Sequence, residues 1–219
     1  MLKIISLSMN ILKKFIDLLI ESLSDNRKLI IVMAVLFIIC FVGAWIFSSD
    51  SVSSSVDQIQ NMSASSPGMD QGTGPVELFI NNEVGGILTY VGSIFFGIFA
   101  VVSLAYNGVN MGMLGQLFSQ MVPNGGLKYI VYLIPHGIFE LTATVLESAA
   151  GIMLFLFIWR FVRAWMSKET NGASDAFEKS KKILIQSLII MIFATILLII
   201  AAPIEAYISV PFSEMIVGA

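Results

Sequence analysis

The sequence has few charged residues, one cysteine and one histidine, and each scarcity excludes a class of protein. Only 12% of the 219 residues are charged, whereas a soluble domain carries about 25%. Because 57% of the residues are hydrophobic and the mean hydropathy is +0.88, the composition is that of an integral membrane protein. The lone Cys40 allows no intrachain disulfide and no thiolate metal site, which needs several cysteines.

The motifs of several enzyme classes are also missing. There is no basic cluster with interleaved aromatic residues, so nucleic acid is not an expected partner. The sequence has no nucleophile elbow and no glycine-rich phosphate loop followed by lysine. The sequence therefore lacks the residues that serine hydrolases and ATP-hydrolysing enzymes usually use. We expect a non-enzymatic protein with no cofactor and no catalytic residue.

Hydropathy divides the chain into four parts. Residues 1–26 are predicted to form a cytoplasmic amphipathic helix, either on the membrane surface or packed on the membrane domain. Residues 27–48 are predicted as the first transmembrane helix. Residues 49–76 are rich in Ser, Gly, Gln and Asp and contain no Lys or Arg, which predicts a flexible extracytoplasmic linker. Residues 77–219 form the predicted membrane core.

Lysine and arginine placement predicts the topology. Basic residues precede the first span and cluster again before the last one, so both regions are expected in the cytoplasm. An even number of crossings must then lie between Tyr106 and Arg160, or none if that part is re-entrant. We favour two crossings, which places the C-terminus outside the cell membrane. The five predicted spans cover residues 29–48, 84–106, 107–122, 136–159 and 183–202.

The predicted fold is all-α, a polytopic membrane protein with about five transmembrane helices. A kinked or re-entrant element is expected at residues 123–140, where Pro135 and Gly137 interrupt a long apolar segment. Pro203 is expected to kink the end of the last span. Gly108 and Gly112, four residues apart, are predicted to allow close helix packing and to support a homo-oligomer.

Three ionisable residues are predicted to share one helix face. At 100° per residue, Glu140 lies about 40° and Glu147 about 20° round the helix from His136. A charge at the bilayer centre costs on the order of 2.5–3.5 kcal/mol. This stripe is therefore expected to face other helices, a partner or water.

Helix lengths place further polar groups near the stripe. His136, Glu140 and Glu205 are expected near the outer boundary, and Glu147 deeper. We predict an intramembrane polar network, which is also a possible ion or proton path. Its members are His136, Glu140, Glu147, Glu205, Asn81, Asn82 and Asn107.

One motif resembles the signature of the stage II sporulation protein M family: Pro135-His136-Gly137-Ile138-x-Glu140-Leu141-x-Ala143, with Gly151 downstream. Three further elements are similar to the family's pattern: Asn81-Asn82, Asn107-Gly108-x-x-x-Gly112, and Ala201-Ala202-Pro203-Ile204-Glu205-Ala206 with Pro211. The resemblance covers roughly residues 77–212. In endospore formers the namesake is a membrane component of a complex that remodels peptidoglycan. The resemblance implies a scaffold rather than a hydrolase.

Three functions remain open. The first is a non-enzymatic scaffold or permease-like subunit of a cell-envelope complex, in which polar groups hydrogen-bond helix ends. The second is an ion- or proton-coupled transporter, because intramembrane carboxylates and histidines build proton relays. The third is a metal-dependent membrane hydrolase, although one histidine with carboxylates is an unusual zinc set. No metal site is expected. The expected partners are the lipid bilayer and either a second copy or other envelope proteins.

Overall fold

The computed structural model describes residues 2–53 and 74–218, with side chains from residue 9 onward. Helices account for nearly all of these residues, which confirms the all-α prediction. The helices are α1 (Leu2–Asp25), α2 (Arg27–Phe47), α3 (Pro75–Gly92), α4 (Ile98–Met121), α5 (Gly125–Trp165), α6 (Ala173–Ile204) and α7 (Val210–Val217). A π-helical segment, Glu205–Ser209, joins α6 to α7. Most of the predicted linker lies outside the described residues, and residues 49–53 are helical.

Within the described ranges, four helical stretches are long and apolar enough to cross a bilayer. They are Arg27–Phe47, Ile98–Met121, Gly125–Trp165 and Ala173–Val217. Helix α3 is less apolar than these four, and its 18 residues are about 27 Å long. It forms an antiparallel hairpin with α4, since the hydroxyls of Thr89 and Ser103 lie 2.6 Å apart. This agrees with the prediction of about five transmembrane helices.

The bounds of the second and third spans differ from the prediction. The chain turns at Ser93–Gly97, so the expected spans at 84–106 and 107–122 are wrong in their limits. Phe96 and Gly97 have positive φ angles of 78° and 60°, which end a right-handed helix. This turn lies inside an apolar run, where hydropathy shows no boundary. Glu83 consequently lies inside α3 and not in front of a helix.

The helix directions gather most of the basic residues at one end of the bundle, here named the basic end. Helices α2 and α4 run parallel, because Gly108 packs on Phe37 and Gly112 packs on Phe41. Helix α5 runs antiparallel to both α4 and α6. The basic end contains Arg27, Lys28, Arg160, Arg163, Lys181 and Lys182. The other end is here named the distal end.

Gly108 and Gly112 bring α4 close to α2 within one chain. A Cβ at Gly108 would lie 3.0 Å from the carbonyl oxygen of Phe37, and one at Gly112 would overlap that of Phe41. Both glycines are buried. Their packing role is therefore intramolecular, which corrects the expectation that they mediate homo-oligomerisation. A contact between copies would have to use another surface.

The two prolines have different consequences. Helix α5 continues through Pro135 and Gly137 without a break, and its 41 residues extend about 61 Å. The re-entrant form of the element expected at residues 123–140 is therefore not seen, and α5 is preceded by a tight turn in which Asn124 has a φ of 56°. At Pro203 the missing N–H cannot bond to the carbonyl of residue 199. The π-helical segment starts two residues later, at Glu205.

Helix α1 packs against the start of α6. The Lys182 ammonium lies 2.9 Å from carboxylate oxygens of both Glu21 and Asp25. The Gln186 amide donates a hydrogen bond of 2.8 Å to Asp25. The bond to Lys182 lowers the pKa of the Asp25 carboxyl. These contacts support the alternative in which the amphipathic helix packs on the membrane domain.

Buried apolar side chains, several of them alanines, pack α5 against α6. The buried core there includes Ala143, Leu146, Ala150, Met153, Ile190, Ala194 and Leu198. Apolar side chains of α2 such as Ile31 and Ile39 are instead exposed, as expected for a surface that contacts the lipid bilayer. The exposed apolar helices and the buried core together describe a membrane protein.

Candidate functional site

A polar cavity of about 430 Å³ lies among α3, α4, α5, α6 and the π-helical segment. Its wall contains all seven residues of the predicted polar network: Asn81, Asn82, Asn107, His136, Glu140, Glu147 and Glu205. The structure therefore brings together residues from four separate parts of the sequence. Their role in carrying ions remains a prediction.

One group of side chains, here named the distal cluster, lies at the distal part of the cavity. Tyr132, His136, Glu140 and Glu205 line the wall there, and the buried Ser209 contacts His136. Tyr132 donates a hydrogen bond of 3.1 Å to Oε1 of Glu205. Nδ1 of His136 lies 2.8 Å from the Ser209 hydroxyl, and its Nε2 lies 3.7 Å from Oε2 of Glu140. These bonds tie α5 to the π-helical segment.

The local helix geometry explains why the distal cluster forms. Tyr132, His136 and Glu140 are spaced four residues apart and therefore project from one face of α5. Glu205 and Ser209 are the first and last residues of the π-helical segment. An i→i+5 turn changes which residues share a face, and such turns are frequent at functional sites.

Ser209 lies between His136 and the backbone of α6. Its hydroxyl is 2.8 Å from Nδ1 of His136 and 3.3 Å from the carbonyl oxygen of Ile204. A hydroxyl can donate one hydrogen bond and accept others, so it can pair with either neutral tautomer of the imidazole. In both tautomers Nδ1 is directed at Ser209, and Nε2 is the ring nitrogen that faces the Glu140 carboxylate.

Glu83 and Glu147, here named the deep pair, lie nearer the basic end, and each has a buried carboxylate oxygen. Glu147 is 4% exposed and lines the cavity, but its Oε1 has no hydrogen-bond partner among the described residues. Glu83 accepts a hydrogen bond of 2.8 Å from Thr195, while its Oε2 is buried and equally without a partner. The two carboxylates interact electrostatically. A site with unsatisfied oxygens of this kind is suited to a proton or a cation.

Gly86 provides the space that the Glu147 carboxylate occupies. A Cβ at Gly86 would overlap the carboxylate carbon and both its oxygens. The neighbouring Gly85 has nothing within 4 Å of its Cβ position. Only the first of these glycines is therefore required by the packing of the deep pair.

Asparagine side chains line the rim of the cavity between α3 and α4. Asn81 and Asn107 are exposed, whereas Asn82 is half-buried and its side chain hydrogen-bonds Glu140. Asn107 directly precedes Gly108, which packs against Phe37 near the middle of α2. An exposed amide thus lies at about the middle of the bundle.

Some residues of the site were missing from the sequence-based prediction. Tyr132 lies one turn before His136 on the same stripe, so helical spacing alone could have identified it. Glu83 adjoins Asn81 and Asn82, but its importance depended on the correct start of α3. Ser209 meets His136 only because of the π-helical segment, which the sequence does not announce.

Comparison with known proteins gives two matches. The profile of a family described as Stage II sporulation protein M matches residues 32–210, which is more than half of the chain. A protein of Methanocaldococcus jannaschii, described as uncharacterized, is 35% identical over 133 residues. That alignment covers 60% of this chain and 68% of the relative. No solved structure gives a significant match to the chain.

Proposed function

This chain belongs to the stage II sporulation protein M family, and on that premise we propose that it is a non-enzymatic, permease-like membrane subunit that moves protons or cations through its polar cavity. The observation that supports this proposal is the buried Glu147 in the cavity wall, whose Oε1 has no hydrogen-bond partner among the described residues. Intramembrane ionisable residues of this kind mark ion pathways and proton relays.

Energetics favours a transported ion over a purely structural role for Glu147. A buried polar group left without a partner costs about 1–3 kcal/mol, and more when it is charged. A residue that served only to join helices would have its oxygens hydrogen-bonded, as Glu205 is by Tyr132. A second carboxylate, Glu83, interacts with Glu147 and adds to the cost of an uncompensated charge. A proton or cation removes that cost.

The cavity is closed toward the basic end. Ser93 packs against Gly151 there, and Gly97 packs against the Phe155 ring. Closure of the site at one end at a time is the arrangement that alternating access requires. From the distribution of Lys and Arg we infer that the N-terminus and the basic end lie in the cytoplasm. Residues 49–76 and the C-terminus are then extracytoplasmic, and the closed end of the cavity faces the cytoplasm.

Flux measurements on purified protein test this function. Full-length protein in liposomes containing a pH-sensitive dye should acidify or alkalinise the lumen when a potential is imposed. Glu147→Gln should reduce that flux about tenfold or more, because an amide cannot release a proton at neutral pH. Glu77→Gln is the matched control, since Glu77 is exposed on α3, and it should retain flux. Wild-type protein that moves neither protons nor monovalent or divalent cations would overturn the proposal.

A scaffold role is the second candidate, and the exposed Asn107 favours it. Asn107 lies at the rim of the cavity and has no hydrogen-bond partner among the described residues, and an unpaired amide away from water costs about 0.5–2 kcal/mol even on lenient scales. A helix from a second copy of the chain could cover the α3–α4 opening and pair with this amide. In this case the polar cavity would serve assembly instead of conduction.

Cross-linking distinguishes a covered opening from a lipid-facing one. In a Cys40→Ser background, Asn107→Cys should form a disulfide-linked dimer in membranes if a second copy covers the opening. Ile39→Cys is the control, because Ile39 is exposed on the lipid-facing side of α2. Equal cross-linking of the two variants would contradict the dimer.

A further inference from the structure

We propose that His136, Glu140 and Glu205 bind a first-row divalent cation of the Mn²⁺ or Zn²⁺ class at the distal end of the cavity. One ligand atom from each residue lies within 4.8 Å of the others. This inference deepens the proposed function and rests on it for the idea that the cation then moves onward. The sequence predicted no metal site, because one histidine with carboxylates is an unusual zinc set.

The three ligand atoms are close enough to converge on one cation. Metal–ligand bonds to imidazole nitrogen and carboxylate oxygen are about 2.0–2.2 Å. Two ligands of one cation are therefore separated by roughly 3–4.4 Å. Nε2 of His136 and Oε2 of Glu140 are already 3.7 Å apart. Side-chain rotations that move the ligand atoms by a few tenths of an ångström would bring all three within bonding distance of one cation.

The hydrogen bonds of the distal cluster prepare both residue types as ligands. Nδ1 of His136 is held 2.8 Å from the Ser209 hydroxyl, so Nε2 is the ring nitrogen directed at Glu140 and available to coordinate a cation. Tyr132 holds one oxygen of Glu205 and leaves the other available. Metal-binding histidines and carboxylates are oriented in the same way by such outer partners.

The donor set defines the class of cation. One imidazole with two carboxylates suits Mn²⁺, Fe²⁺ or Zn²⁺, whereas Mg²⁺ and Ca²⁺ prefer oxygen ligands alone. A divalent cation also balances two carboxylates that lie in a largely buried site.

An independent observation points to a ligand in the same cavity. Glu147 is 4% exposed, lines the cavity wall and has an unpartnered Oε1. It lies seven residues beyond Glu140 on the same helix face, about 10 Å deeper. A cation that leaves the distal cluster would therefore meet Glu147 as its next carboxylate ligand.

Direct binding of the metal ions tests this site. Full-length protein, stripped with a chelator and purified in nanodiscs, is titrated with Mn²⁺ and Zn²⁺ by calorimetry, and Mn²⁺ binding is followed by electron paramagnetic resonance. We expect one equivalent bound. Glu205→Gln and His136→Ala should each weaken binding about tenfold or more, and Ser209→Ala roughly tenfold. Glu214→Gln removes an exposed carboxylate from the same end and should leave binding unchanged.

Several results would overturn the inference. They are less than one equivalent of Mn²⁺ and Zn²⁺ bound, unchanged affinity in Glu205→Gln, or equal displacement of the bound ion by Mg²⁺. Glutamine keeps the volume of glutamate, so Glu205→Gln decides the matter if His136→Ala does not yield folded protein.

The failures of the two proposals are distinguishable. Glu147→Gln should lose flux but retain metal binding at the distal cluster. Flux without metal binding contradicts only the metal site. Metal binding by a protein that transports nothing contradicts only the proposed function.

Discussion

The distal cluster and the deep pair use the same kind of side chain in one cavity, but they differ in how their polar atoms are satisfied. Glu205 and His136 each have a hydrogen-bond partner, at 3.1 and 2.8 Å respectively. Glu83 and Glu147 each have a buried oxygen without one. The comparison shows that two intramembrane carboxylates of the same residue type can differ in whether their oxygens are hydrogen-bonded to other helices.

Local backbone geometry produces the difference. At the distal cluster the π-helical segment after Pro203 supplies Ser209 as an extra partner. At the deep pair, Gly86 removes a side chain and leaves room for the Glu147 carboxylate without supplying a polar group. The distal cluster is therefore joined to the π-helical segment by hydrogen bonds, whereas each carboxylate of the deep pair keeps a buried oxygen without a hydrogen-bond partner among the described residues.

The largest effect is expected from Gly86→Ala. The added methyl overlaps the Glu147 carboxylate, and overpacking of this kind costs about 1–3 kcal/mol. The carboxylate must also move, so flux should fall together with stability. Gly85→Ala is the matched control, because nothing lies within 4 Å of its Cβ position and alanine is the better helix former. Thermal unfolding in detergent and liposome flux measure both effects, and equal stability of the two variants would contradict the packing argument.

A change of opposite sign is expected from Glu147→Gln. The amide carries no charge, so the variant should be more stable than wild type by about 1–2 kcal/mol while losing flux. A gain in stability combined with a loss of activity is the signature of a residue retained for function. Denaturant titration of the purified variant measures the change. Loss of stability would place Glu147 with the partnered residues of the distal cluster.

Smaller losses are expected from removing partners in the distal cluster. Tyr132→Phe deletes the hydrogen bond to Glu205, and Ser209→Ala deletes those to His136 and Ile204. Each variant should be less stable than wild type by about 1 kcal/mol or more. Thermal unfolding should show both variants less stable than wild type, in contrast to Glu147→Gln. If either variant were as stable as wild type, the distal cluster would not join α5 to the π-helical segment energetically.

Much of this comparison could be predicted from the sequence, and the limits have physical causes. Helical spacing placed His136, Glu140 and Glu147 on one face, and segment lengths brought Glu205 near them. The positive φ angles at Phe96 and Gly97 left no hydropathy signal, so the start of α3 and the depth of Glu83 were missed. The contact of Ser209 with His136 needed the π-helical segment, whose position depends on tertiary packing as well as on Pro203.

The smallest effect on stability is expected at the basic end, where the charged residues are exposed. Its size can be compared with the effects of substitutions in the buried cavity. Lys182 holds the pKa of Asp25 below its ordinary value of 3.8. Because the folded-state pKa is lowered, this pair stabilises the protein above that ordinary value, and the contribution is lost as the pH falls through the folded-state pKa. Lys182→Ala should therefore lower the Tm slightly at pH 7 and not at all near pH 2, since exposed pairs contribute little. A Tm loss at pH 7 as large as that of Gly86→Ala would mean that α1 docking, and not the cavity, dominates the stability of the bundle.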